Sequence, residues 1–385
     1  MKNFVFNNQT RILFGKGQIA NIADEIPEDA KILLVYGGGS IKPNGIYEQV
    51  TDAISDFEYY EFSGIEPNPS YEKCMEALDI INEFDIDFLL AVGGGSVVDA
   101  TKFIAAAALY NGEDPWDILA HSEEIDDALE LGVVLTLPAT GTEMNGNSVI
   151  SRNEYKEKLS FSSPLVMPVF SVLDPQVIET LPKIQIGNGV VDAFVHVIEQ
   201  YLTYPVNAKI QDRFAEGIML TLIEDGPKVL KDPTDYDACA NFMWSTTMAL
   251  NGLIGAGVPQ DWTTHMIGHE ITALHKVDHA QTLAIVLPGV MQVMQRAKRE
   301  KIMQYANRIW GIDTSSEEQA IKTAIDKTVE FFELMGLKTR LKDYGIPRET
   351  IDLIVERMEA RGDVNIGENQ MIGVEEIRRI LESRI

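Results

Sequence analysis

The side chains richest in chemistry are the histidines. The chain has six, and five of them, His196, His265, His269, His275 and His279, fall between residues 196 and 279. They come in four-residue steps: Asp192 with His196, His265 with His269, and His275 with His279, the last pair spanning a predicted helix break at Val277-Asp278. On a helix, residues four apart share a face. One such pair is more often a helix-face hydrogen bond than a site, but three so close together point to a divalent ion held by imidazoles and one carboxylate. That donor set suits Zn²⁺ or Fe²⁺, and a catalytic ion also needs an open coordination position. Spacing does not choose the ligands among five histidines, and it leaves Glu199 and Glu270 open as ligands or supporting carboxylates. Asp261 stands where it can cap the helix that carries His265.

A second chemistry is written in glycine. Ile32-Leu33-Leu34-Val35-Tyr36 runs into Gly37-Gly38-Gly39-Ser40, and Phe88-Leu89-Leu90-Ala91-Val92 runs into Gly93-Gly94-Gly95-Ser96. A strand that ends in glycines before a helix exposes backbone N–H groups at a helix N-terminus, where hydrogen bonding and the helix dipole both favour phosphate. In the second copy Ser96 and Asp99 fit a capping box, and Val97, Phe103, Ile104 and Ala107 give the following helix an apolar face. Neither copy is G-x-G-x-x-G, so the ordinary Rossmann fingerprint is absent. Thr140-Gly141-Thr142-Glu143, with Asn145 and Asn147 beyond it, offers a further polar turn. An acidic residue after the first strand would bond the adenosine ribose and repel a 2′-phosphate. Here Gly39 stands there, followed by Ser40 and Lys42, which predicts NADP(H) over NAD(H).

Positioning these groups calls for two kinds of element. Up to residue 181, short continuous apolar runs alternate with amphipathic stretches, the rhythm of a parallel sheet covered on both faces. Phe57–Phe62 and Gly132–Leu137 read as further strands, and Phe4–Phe6 with Ile12–Phe14 as an N-terminal hairpin. From residue 182 the apolar residues recur at helical spacing. Val190–Leu202, Gln211–Ile223, Tyr236–Leu250, Leu283–Met294, Ile321–Met335 and Glu349–Met358 read as helices punctuated by Gly226-Pro227 and Pro288-Gly289. The expected fold is therefore an α/β Rossmann-like dinucleotide-binding domain over residues 1–181 and an all-α metal-binding domain over residues 182–385, packed as one body with a cleft. A net charge of −27 argues against nucleic acid or an anionic membrane as partner. Cys74 and Cys239 are far apart and in no metal-ligand spacing. With no apolar run near ~18 residues and no apolar leader, a cytoplasmic protein is expected.

The chain resembles the iron-containing (group III) alcohol dehydrogenases, especially their butanol dehydrogenase and NADPH-dependent aldehyde reductase branch. The resemblance spans essentially the whole chain. Its carriers are Gly93 to Asp99, Ala139 to Asn145, Asn188 to His196, and His265 through His279 to Gln281. It implies Asp192, His196, His265 and His279 as ligands of one divalent metal, iron or zinc. It also implies His269 beside the nicotinamide, His275 as structural, and Gly38, Ser40, Asn68, Gly94, Gly95, Ser96, Asp99, Thr140, Asn145, Asn147 and Lys158 around the dinucleotide. Many NAD-linked relatives carry Asp where this chain has Gly39. The implied reaction is hydride transfer between NADP(H) and a small aldehyde or alcohol, with Asp192, His265 and His269 at the centre, in a homodimer. Read from the sequence itself, Trp244, Met248, Leu250, Trp262 and Met266 fit either an apolar pocket near the metal, suited to short aliphatic aldehydes and alcohols, or ordinary helix packing, the commoner role for each taken singly. A lyase related to dehydroquinate synthase, on the architecture it shares with glycerol dehydrogenase, is the alternative.

Overall fold

The computed structural model describes residues 1–385. Six parallel strands form one sheet in the order β1-β8-β5-β4-β2-β3: β1 Arg11–Phe14, β2 Lys31–Tyr36, β3 Glu58–Phe62, β4 Phe88–Gly94, β5 Glu130–Leu137 and β8 Phe170–Leu173. The central strands are uninterrupted in apolar residues because both faces are covered; Ile32 to Val35 and Leu89 to Val92 are fully buried. Leu33 stands opposite Leu89, and Leu89 opposite Leu131. Helices α1 Ile46–Ala53, α2 Tyr71–Phe84 and α3 Gly95–Ala108 follow β2, β3 and β4, and the short α4 Asp117–Ala120 precedes β5. A separate antiparallel hairpin, β6 Asn147–Arg152 and β7 Glu157–Ser162, packs against α3.

The expected N-terminal hairpin does not form. Residues 1–10 carry no regular structure, and Ile12–Phe14 lies in β1, which pairs in parallel with β8. Backbone contacts of the first residues explain this: Lys2 N–H donates to the Gly257 carbonyl at 2.8 Å, and the terminal amine of Met1 to that of Val206.

The remaining elements are helical: α5 Lys183–Tyr201, α6 Lys209–Lys231, α7 Tyr236–Ala249, α8 Thr263–His275, α9 His279–Val293, α10 Arg299–Arg308, α11 Glu317–Leu334, α12 Glu349–Arg361 and α13 Val374–Glu382. The chain divides into two compact units. One comprises residues 7–181 and 233–247, the other residues 1–6, 182–232 and 248–385. This departs from a single cut at residue 181 in two segments. Most of α7 joins the sheet unit because Trp244 packs edge-on against Phe14, Lys16 lies over the Tyr236 ring, and the Thr247 hydroxyl donates to the buried Glu143 carboxylate.

Gly226-Pro227 and Pro288-Gly289, read as breaks, lie inside α6 and α9. At Gly226 the reason is close packing: a Cβ there would sit 2.9 Å from a Val190 methyl on α5. The core of the helical unit is built from Ile267 and Ile271 of α8, Ile285, Val286 and Val290 of α9, Ile354 and Met358 of α12, and Ile377 and Ile380 of α13. Each fully buried side chain contributes about 1.5–3 kcal/mol, and Ile267 and Ile271, four apart, hold α8 in one rotational setting. No helix is long and apolar enough to cross a membrane.

Candidate metal centre and nucleotide cradle

Within the helical unit, α5 presents Asp192 and His196 one turn apart, both buried. Helix α8 presents His265 and His269, and α9 opens on His279. Lys276 adopts a left-handed conformation (φ +55°) at the end of α8, so His275 and His279 belong to different helices. Ligand atoms of Asp192, His265 and His279 lie within 4.8 Å of one another. Asp192 Oδ1 is 3.7 Å from His196 Nε2 and 3.8 Å from His279 Nε2. The His196 and His265 rings stack with centroids 4.7 Å apart, and His265 and His279 stand at 5.1 Å. The structure thus gathers Asp192, His265 and His279 at one place, with His196 beside them, in contact with Asp192 and stacked on the His265 ring.

A divalent ion fits this donor set. Two imidazoles and the Asp192 carboxylate converge, His196 adjoins them through Asp192, and its buried Nδ1 has no hydrogen-bond partner. Burial pushes the His196 pKa down to about 4, so its imidazole is neutral at physiological pH, the form that binds metal. His269 flanks the cluster, its ring 5.2 Å from that of His279. His275 lies outside it and contacts the Thr350 hydroxyl at 2.9 Å. His121 is exposed beside Asp117.

The carboxylates left open by spacing separate cleanly. Glu270 points to Arg357 and Arg361, each at 2.6 Å, and so ties α8 to α12. Glu199 instead contacts His265 Nδ1 and accepts the Thr264 N–H at 2.5 Å. Burial, with Asp261 nearby, pushes its carboxyl well above the usual range, and a cation in the cluster would act in the opposite direction. Asp261 does not cap α8 in the simple sense. The residue at the cap is Trp262, with φ +63°, and Asp261 accepts the Thr263 N–H at 2.8 Å. The other Asp261 oxygen meets Lys298, a buried cation that also holds Glu368 at 2.7 Å and the Leu202 carbonyl at 2.8 Å. Of the apolar residues expected near a substrate, Trp262 sets its ring edge-on to His265 at 5.3 Å, whereas Trp244 packs on Phe14 in the sheet unit.

In the sheet unit, the turn from β4 to α3 is built on close approach. A Cβ on Gly95 would lie 2.6 Å from the Thr140 hydroxyl. The predicted capping box is absent: α3 begins at Gly95, its cap is Gly94, and Ser96 is already inside the helix. Ser96 Oγ accepts from the Asn68 N–H at 3.4 Å, and the Asp99 carboxylate takes the Thr142 hydroxyl at 2.7 Å and the Val149 N–H at 3.1 Å. Asn68, at φ +57°, receives Lys158 Nζ at 2.8 Å. Gly38, Gly39 and Ser40 form the turn after β2, with Gly39 at φ +90° and Gly38 and Ser40 exposed. Lys42 is already engaged, 3.8 Å from Glu61 and over the Tyr47 ring.

Lys102 is the residue that motif reading missed. Fully buried, it donates to the Thr142 carbonyl (2.6 Å) and hydroxyl (2.7 Å), Asn145 Oδ1 (3.2 Å) and the Asn147 carbonyl (2.8 Å). Burial lowers its pKa to about 8. Asn145 in turn donates to the Gly141 carbonyl and accepts the Asn147 N–H. Asp99, Thr142, Asn145, Asn147 and Lys102 therefore fix the shape of the loop next to the glycine turn. Lys102, three residues after Asp99 in an otherwise apolar helix, was the available signal.

A parallel sheet with glycine-ended strands, in a chain whose helical unit gathers an aspartate and three histidines, defines a class of dinucleotide- and metal-dependent proteins. Comparison with known proteins narrows it. The iron-containing alcohol dehydrogenase model matches residues 9–175, and the C-terminal model of the same family matches residues 187–385. The chain is 55% identical to the NADPH-dependent aldehyde reductase YqhD of Escherichia coli over all of both chains. It is 40% identical to the probable NADH-dependent butanol dehydrogenase 1 of Bacillus subtilis, again over the full length of both. A crystal structure of E. coli YqhD superposes with a TM-score of 0.98, covering 100% of this chain and 99% of that one. NADH-dependent butanol dehydrogenase A of Thermotoga maritima, 39% identical, gives 0.95 over 100% and 99%. The chain belongs to the iron-containing alcohol dehydrogenase family.

Proposed function

We propose that the protein is a metal-dependent, NADP(H)-linked aldehyde reductase and alcohol dehydrogenase acting on small aliphatic aldehydes and primary alcohols. The observation that carries this reading is the convergence of Asp192, His265 and His279, with His196 beside Asp192, in a chain 55% identical to an NADPH-dependent aldehyde reductase. When bound, a divalent ion supplies Lewis acidity toward the carbonyl oxygen, and the dinucleotide supplies the hydride.

The chain's own residues do the rest. Asp192 contributes the single negative charge among the proposed ligands, and the three neutral imidazoles complete the grip. His269, next to His279, is assigned to the nicotinamide side. Backbone N–H groups at the start of α3, around Gly94, Gly95 and Ser96, receive the pyrophosphate. Thr140, Asn145 and Asn147 border that turn, Asp99 and Lys102 hold its shape, and Asn68 with Lys158 forms the adenine side. Gly38, Gly39 and Ser40 leave room for a 2′-phosphate where no carboxylate repels it. Iron and zinc both suit the donors. A homodimer in a reducing cytoplasm, where Cys74 and Cys239 stay thiols, completes the proposal.

Metal analysis of the purified protein and the loss of nicotinamide absorbance with butyraldehyde test it together. Stoichiometric iron or zinc with net NADPH consumption is expected. Turnover in fully metal-free protein, or an aldehyde-independent reaction without net NADPH oxidation as in a lyase, would overturn it.

A further inference from the structure

Glu199 lies three residues beyond His196 on α5, with its side chain 3% exposed. Its carboxylate oxygens are divided between two donors. Oε1 accepts the Thr264 N–H at 2.5 Å, and Oε2 meets His265 Nδ1. The backbone carbonyl of the same residue accepts the Asp261 N–H at 2.9 Å. One residue thus holds three points of the segment that leads into α8. From the other side, Lys298 grips Asp261, and Asp261 in turn accepts the Thr263 N–H. An imidazole has two nitrogens, and with Nδ1 turned to a carboxylate only Nε2 is left for the cluster.

From this geometry we infer that Glu199 is the positioning residue of the metal centre: by accepting the Nδ1 proton of His265 it fixes that ring as an Nε2 donor. The inference rests on the metal reading proposed above. A carboxylate behind a ligating histidine fixes its tautomer and raises its basicity, and losing one weakens metal binding about 10–100-fold. Glutamine cannot replace it, although its shape is nearly the same. Glu199 offers one acceptor oxygen to each of two separate donors, whereas an amide has a single acceptor oxygen and turns N–H groups toward the other side. If the amide nitrogen faces His265, Nδ1 must become the acceptor and the proton moves to Nε2, the atom the metal needs.

The test uses the full-length zinc-loaded protein as wild type and as Glu199→Gln. Zinc affinity is read by competition with a chelator, NADPH affinity by fluorescence titration, and the His265 ring by long-range ¹H–¹⁵N NMR on histidine-labelled protein. Wild type is expected to hold zinc stoichiometrically, with a proton on Nδ1 of His265 and metal on Nε2. Glu199→Gln is expected to lose about 10–100-fold in zinc affinity while NADPH binding stays within a small factor. Unchanged zinc affinity in a folded variant, or zinc on Nδ1 in the wild type, overturns the role of Glu199 and leaves the metal centre standing. Failure of the wild type to bind zinc or iron overturns both. Should the variant not fold, zinc on Nδ1 of His265 in the wild type still overturns the proposal.

Discussion

Gly39 is the position at which cofactor choice can be tried most directly, with Gly39→Asp as the perturbation. Its backbone has φ +90°, and a Cβ built there meets nothing within 4 Å, so the first atom of a new side chain has room. Strain for a side chain in this region costs about 1–2 kcal/mol, but both cofactors bear it equally. Discrimination comes from charge. An aspartate about 6 Å from a dianionic 2′-phosphate on this solvated turn, at an effective dielectric constant of about 60, between the near-surface value of about 20 and the ~80 of bulk water, is repelled by about 2 kcal/mol, reduced to about 1 kcal/mol by salt. A hydrogen bond from the ribose hydroxyl of NADH to that carboxylate returns about 1.5–3 kcal/mol. The NADPH-to-NADH preference should therefore fall by about 3 kcal/mol, on the order of 100-fold. The assay is kcat/KM for each cofactor at fixed butyraldehyde in wild type, Gly39→Asp and Gly39→Asn. Asparagine keeps the strain and omits the charge, so its ratio should stay within about threefold of wild type. An aspartate variant that also keeps the wild-type ratio, or a wild type that prefers NADH, would refute the placement of the 2′-phosphate at this turn.

Three other perturbations have defined outcomes. His265→Ala removes one of four ligands; with structural zinc sites at about 10–16 kcal/mol, one ligand is worth about 3 kcal/mol, so metal affinity should drop on the order of 100-fold. Metal content after dialysis against chelator reads this, and NADPH binding measured alongside should persist. Lys102→Met takes the donor from four acceptors and the counter-charge from Asp99, which should destabilise the protein by about 3–5 kcal/mol in urea unfolding; a loss below about 1 kcal/mol would contradict the hub role. Burial and the neighbouring Asp261 push Glu368 up to about 7 from its ordinary 4.5. The folded state then holds a proton that the unfolded state has released, so this group's contribution to stability falls as pH rises from 4.5 through 7. Glu368→Gln cannot titrate, and whatever its baseline, its stability relative to wild type should improve across that window; parallel curves would sink the assignment.

Much of the fold was legible because its strongest signals are local. Unbroken apolar runs ending in glycine at Gly37 and Gly93 can be little other than buried parallel strands, and β2 and β4 are such strands. The hairpin β6–β7 went unread because Ser148, Ser151 and Ser160 interrupt its apolar residues and its partner face is the side of α3. Phe4-Val5-Phe6 looked like a strand, but strand formation needs a neighbour, and those residues belong to the helical unit. Proline and glycine at Gly226-Pro227 and Pro288-Gly289 looked like stops, since sequence does not reveal when a missing side chain serves helix packing. At the site, four-residue spacing marked Asp192/His196 and His265/His269 but could not exclude His275. That exclusion comes from the turn at Lys276, which starts a new helix at His279. Glu199 and His265 are 66 residues apart, so no local pattern announces their contact.

The charge of the chain explains why the two kinds of binding group differ. With 59 acidic against 32 basic residues, the molecule's field draws a divalent cation in and opposes a dinucleotide phosphate. A metal can therefore be held by one carboxylate and neutral rings, since the surroundings already favour positive charge. The dinucleotide needs short-range donors strong enough to act inside the screening length of about 10 Å. Free cations are scarce near the glycine turns: Lys102 is consumed by four internal acceptors, Lys42 by Glu61, and Lys158 by Asn68. On the proposed reading, backbone N–H groups at the start of α3 fill that need, because their partial charges are fixed by the fold. On the same reading the glycines receive the anion, and Lys102 and Lys158 brace the loops around them.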